Sequence, residues 1–104
     1  MTSRLEHELL TQCRLAGLPT PAREYRAIPG RRFRFDLAFI EQKLLIEVQG
    51  GIWNGGKHGR GAGIETDQEK LNLAVIEGWR VLQVSSNHVK NGKALMWIRL
   101  ALSV

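Results

Sequence analysis

Apolar and polar residues alternate from Arg32 to Phe39, with Phe33, Phe35, Leu37 and Phe39 on one side and Arg32, Arg34, Asp36 and Ala38 on the other. That period of two predicts a half-buried strand. A second run, Lys43 to Gln49, puts Leu44, Ile46 and Val48 on one side and Leu45, Glu47 and Gln49 on the other. If the two runs form an antiparallel hairpin turning at Glu41-Gln42, residue 40 pairs with 43 and Asp36 stands across from Glu47. Opposed residues have Cβ atoms ~4.5–5.5 Å apart, where like charges are destabilising unless a cation lies between them. Glu41-Gln42 is not the Asn-Gly or Asp-Gly of a tight hairpin, and a loop of odd length would shift the register. Two exposed carboxylates on a solvated sheet face explain the pair equally well.

Helical spacing governs the rest of the chain. Leu5, Leu9, Cys13 and Ala16 form an apolar stripe on a helix predicted over 3–16, which ends before Gly17 and Pro19. Ser3 and Glu6 have capping-box spacing, and Glu6 also falls beside the stripe, near Leu9, Leu10 and Cys13. Pro19 to Gly30 reads as a connection with a short strand around Glu24 to Ala27. Residues 50–63 are rich in glycine and carry Trp53, Lys57, His58 and Arg60. Gly51, Gly56 and Lys57 imitate a phosphate loop, but His58 stands where that motif needs Ser or Thr. A second helix is expected from Thr66 to about Glu77, with Glu69 completing a capping box, Gly78 as the stop, and Leu71, Ala74 and Val75 buried on the side that carries Asp67. Trp79 to Val84 reads as a buried strand, and Lys93 to Leu102 as an amphipathic helix with Leu95, Ile98 and Leu102 inward. The order α-β-β-α-β-α predicts one α/β domain over 1–104, a mixed central sheet flanked by helices.

Charge sharpens this picture. The chain of 104 residues has a formal net charge of +5 and a pI near 10.0, which favours a polyanionic partner by counterion release. Its lone cysteine, Cys13, forms no internal disulfide and suits a reducing compartment, as a core residue rather than a nucleophile. Charged residues among the first leucines argue against a signal peptide or membrane span, so an intracellular, cytoplasmic protein is expected. His7, His58 and His88 lack zinc-ligand spacing. No Ser or Cys sits beside a base in a hydrolase motif.

Asp36, the hairpin, Glu47-Val48-Gln49 and a preceding helix with Glu6 together resemble the PD-(D/E)xK nuclease superfamily in its variant with Gln at the third position. From Pro29 through Gly50-Gly51 to Leu82 the chain is similar to small phage and bacterial nucleases of the VRR-NUC and Vsr-like groups. Phe35 replaces the usual Pro before the Asp, and Gln49 the usual Lys. The resemblance implies a restriction-endonuclease-like core and a Mg²⁺- or Mn²⁺-dependent DNA endonuclease acting on branched, nicked or structured DNA in a bacterial or phage-infected cell. It also implies Asp36, Glu47 and the Val48 carbonyl as metal ligands, with Glu6 completing the centre.

Phosphodiester hydrolysis needs an activated water and charge neutralisation, and hard oxygen ligands suit Mg²⁺. Gln49 can orient a water but supplies no positive charge, so Lys70 or Lys43 becomes the candidate cation, with a solvated surface lysine the alternative for each. Lys57, His58 and Arg60 could grip flanking phosphates, as could Arg32 with Arg31 and Arg34, and Lys70 joins this DNA-binding set. Two other functions fit the same residues: a catalytically silent nucleic-acid- or partner-binding module, and a nuclease subunit of a larger assembly. Met96, Trp97 and Ile98 offer more apolar surface than one core-facing stripe needs, which makes a homodimer a further expectation.

Overall fold

Two apolar cores, one on each face of a single sheet, organise the chain. The computed structural model describes residues 4–49 and 62–104. Its elements are α1 (Arg4–Leu15), β1 (Ala22–Tyr25), β2 (Phe35–Phe39), β3 (Leu44–Gln49), α2 (Ala62–Ile76), β4 (Arg80–Ser85), α3 (Ser86–Lys90) and α4 (Lys93–Leu102). The sheet runs β1-β2-β3-β4, antiparallel across the first two pairings and parallel across β3 and β4. The fold is therefore mixed α/β, a four-stranded mixed sheet flanked by helices.

On one face Leu37, Phe39, Leu44, Ile46 and Val84 pack with Leu9 and Cys13 of α1, Val89 of α3, and Ala94 and Ile98 of α4. On the other, Phe35, Ala38 and Leu45 meet Ala74 of α2, Trp79 and Ile28. Burying a side chain of this size contributes about 1.5–3 kcal/mol, so the alternation of β3 is what fastens a helical layer to each face. Burial also pushes the Cys13 thiol up to about 11, which suits an inert core residue.

The hairpin adopts the register expected of it: Leu37 pairs with Ile46, Ala38 with Leu45 and Phe39 with Leu44. Lys43 closes the turn by donating its N–H to the Ile40 carbonyl at 3.1 Å, itself in the left-handed region at φ +55°. Helix ends follow glycine as well. At Gly17 the Leu18 N–H reaches the Cys13 carbonyl and the Gly17 N–H that of Arg14; at Gly78 the Trp79 N–H reaches Ala74 and the Gly78 N–H reaches Val75. Both glycines have positive φ, so each forms the paired-bond stop that a Cβ would strain.

Several expectations change. The strand expected from Arg32 is β2 and begins at Phe35, so Arg32 and Arg34 precede it and do not share a strand face with Asp36. The strand foreseen around residues 24–27 lies at Ala22–Tyr25 instead, and α3 is an additional short helix. Helix α2 starts at Ala62, which puts Thr66 inside it; Glu69 pairs with Arg31 at 2.6 Å rather than capping. Val75 is exposed, whereas Ala74 is buried against the sheet with Leu71 and Leu73 packed beside it. In α4, Ile98 is fully buried and the Trp97 ring packs edge-on against His88 at 4.7 Å, so of the proposed dimer trio Met96 is the substantially exposed one. Among the described residues, no helix is long and apolar enough to cross a membrane.

Candidate carboxylate centre

Both strands of the β1/β2 pair change face at one position, and that break builds the site. Arg23 pairs with Leu37 and Tyr25 with Phe35, so Glu24, between them, stands opposite Asp36. Ala22 and Ala38 belong to the second core, and so do Tyr25 and Phe35. Strict alternation would have sent Tyr25 and Phe35 to the other side. Glu24 absorbs the shift at φ +50°, a conformation that costs a residue with a Cβ roughly 1–2 kcal/mol. The sequence-based grouping of Phe35 with Leu37 and Phe39 is corrected accordingly.

Beside this kink α1 contributes Glu6, only 3% exposed. Carboxylate oxygens of Glu6, Glu24 and Asp36 lie within 4.8 Å of one another. Burial first, and then the charges of Asp36 and Glu24, push the Glu6 carboxyl up to about 7. Its alternative partner, Ser3, lies outside the described residues.

Asp36 also joins this trio to Glu47. Its Oδ2 accepts the Val48 N–H at 2.7 Å, while Glu47 Oε1 accepts the Asp36 N–H at 3.1 Å. Each acid is thus tied to the other strand's backbone, and the opposition predicted from the hairpin register is realised. Lys70 of α2 donates to Glu47 Oε2 at 2.5 Å and lies over the Phe35 ring at 4.6 Å. Both members of the ion pair are 16% exposed, so it is far less screened than a surface pair. Burial raises the Glu47 pKa, an effect that Lys70 opposes and the Asp36 charge reinforces.

Gln49 donates from Nε2 to Gln83 Oε1 at 3.1 Å, an anchor on the neighbouring parallel strand. Val48 contacts Asp36 through its N–H. Of the two candidate lysines, Lys70 reaches the centre; Lys43 sits at the far end of β3 with its Nζ over the Trp79 ring at 4.6 Å. Arg32 is exposed, whereas Arg31 is engaged with Glu69 and lies over Phe33. Lys57, His58 and Arg60 lie outside the described residues. His88 caps α3, accepting the Ser85 N–H on Nδ1 while its own N–H reaches Ser85 Oγ.

Glu24 is the member of the centre that sequence reasoning missed. The signal for it was weak: a short strand was expected nearby, but only antiparallel pairing of Ala22–Tyr25 with β2 sets Glu24 across from Asp36. No family model, curated protein or solved structure matches this chain.

Proposed function

We propose that this chain is a divalent-metal-dependent DNA endonuclease with a restriction-endonuclease-like core, acting on branched, nicked or otherwise structured DNA. The observation that carries the reading is the Asp36–Glu47 pair, locked across the hairpin by reciprocal bonds to backbone N–H groups and joined by Glu6 and Glu24. Glu6, Glu24 and Asp36 bring carboxylate oxygens within 4.8 Å of one another, with Glu47 tied to Asp36 across the hairpin, and such hard-oxygen donors suit Mg²⁺ or Mn²⁺. Asp36, Glu47 and the Val48 carbonyl would hold the ion, which when bound activates water and neutralises charge on the phosphate. Lys70 supplies the positive charge that Gln49 cannot. With its amino group on Gln83, Gln49 has its Oε1 left to accept a hydrogen bond from the attacking water. Arg32, and Lys57, His58 and Arg60 in the glycine-rich segment, are the proposed phosphate contacts.

The Lys70–Glu47 ion pair favours a second reading. It neutralises Glu47 without an ion, as a silent nucleic-acid-binding module would require. A cleavage screen separates the two. Linear, nicked, flapped and four-way-junction DNA should be cut by the pure protein in Mg²⁺ or Mn²⁺, bound but not cut in Ca²⁺, and left intact in chelator. Binding without cleavage in every metal would overturn the stand-alone nuclease and leave the silent module and the nuclease subunit of a larger assembly.

Gln49→Ala should slow cleavage by about 10²-fold, the scale of losing one positioned catalytic hydrogen-bonding group, while metal affinity changes little. Gln49→Lys should fold and retain activity. If Gln49→Ala cuts as fast as the parent, the water is oriented by another group, with Lys70 and Glu6 next to be tested.

A further inference from the structure

We propose that a groove between α1 and the start of β1 seats an unpaired nucleotide of the strand held at the carboxylate centre, an inference that rests on the nuclease reading above. The groove has a volume of about 220 Å³. His7, Thr11 and Arg14 lie along one stripe of α1, at successive spacings of four and three, and Thr20 and Arg23 close the opposite wall. Leu10, Leu18, Pro19 and Pro21 supply apolar surface between them.

Among the described residues, no ion pair engages the cations of this groove: the pairs are Arg31–Glu69 and Lys70–Glu47, neither of which involves Arg14 or Arg23. Both arginines are exposed. Thr11 donates its hydroxyl to the His7 carbonyl at 3.0 Å, so the donors left for a ligand are Arg14, Arg23, the His7 ring and Thr20. Guanidinium groups bind phosphate with a matching fork and also stack on planar rings. Flanked by apolar side chains, they suit a base and its phosphate together. A paired base keeps its faces inside the duplex stack, so an unpaired one is the form that can lie on this surface.

Position ties the groove to the centre. Arg23 immediately precedes Glu24, and His7 immediately follows Glu6. Two elements that carry the carboxylates therefore also carry the groove's cations.

The test measures binding in chelator, in an Asp36→Asn background, by anisotropy of a labelled short oligothymidylate, its abasic counterpart and a blunt duplex, with inorganic phosphate as competitor. Arg14→Ala/Arg23→Ala should weaken single-strand binding roughly tenfold and flatten its log-log salt slope by about 1.4, at about 0.7 per lost phosphate contact. The abasic strand should bind the parent more weakly than oligothymidylate, the duplex should lose less than the single strand, and phosphate should compete poorly. Unchanged affinity and slope, equal binding of abasic strand and oligothymidylate, or an equal loss on duplex would overturn the proposal. Melting curves of the double variant verify its fold. Because no turnover is read, a blank cleavage screen with intact Arg-dependent strand binding would sink the nuclease reading and leave the groove standing.

Discussion

Asp36→Asn and Glu47→Gln are each expected to abolish DNA cleavage while the protein stays folded. Asp36 faces Glu6 and Glu24 on one side and Glu47 on the other, so it is the carboxylate on which the whole centre converges. An asparagine oxygen still accepts the Val48 N–H that Asp36 Oδ2 accepts at 2.7 Å, so the cross-strand bond survives. The lost charge removes repulsion at three acids, and melting temperature should hold or rise. Glu47→Gln differs, because it removes the ion pair with Lys70 as well as a carboxylate whose burial is unfavourable. Leaving Lys70 without its partner outweighs the relieved burial, so Glu47→Gln should melt below the parent while still folding. Cleavage rates in Mg²⁺ read alongside thermal melts decide the matter. An Asp36→Asn protein that cuts at the parent rate would remove the proposed metal centre.

The metal-free protein should lose stability as pH rises from about 4.5 to about 7, and Glu6→Gln should suppress that loss. Glu6 has its carboxyl pushed up from 4.5 to about 7 in the folded chain, by burial and then by Asp36 and Glu24. The native state therefore holds a proton that the unfolded chain releases through this window, and by linkage stability declines with pH there. At about 1.4 kcal/mol per pKa unit, the loss is on the order of 3 kcal/mol. The decline from this group is complete about one unit above pH 7. Glutamine imitates the protonated acid in shape and hydrogen bonding, so Glu6→Gln should exceed the parent in stability at pH 8 and match it near pH 4. Denaturant unfolding across this range in chelator tests the prediction; parallel pH profiles for parent and variant would show that Glu6 is not the group responsible.

What could be read along the chain was local. Alternation from Leu44 to Gln49 marks a strand, and both Gly17 and Gly78 stop their helices because each supplies the left-handed residue needed there. The hairpin register also followed, and with it the opposition of Asp36 and Glu47, because a short turn leaves few pairings that keep the apolar set buried. Tertiary structure decided the rest. Whether Glu6 capped its own helix or entered a site depended on where α1 packs. Lys70 could have been a solvated lysine until α2 crossed the sheet above Glu47. Glu24 became part of the centre through a strand pairing whose break at φ +50° departs from the period of two, and Phe35 changed cores with it. Periodicity reports the face a residue takes in a regular element; it carries no information about a kink, or about which distant element supplies the neighbour, because both are set by packing between segments far apart in the chain.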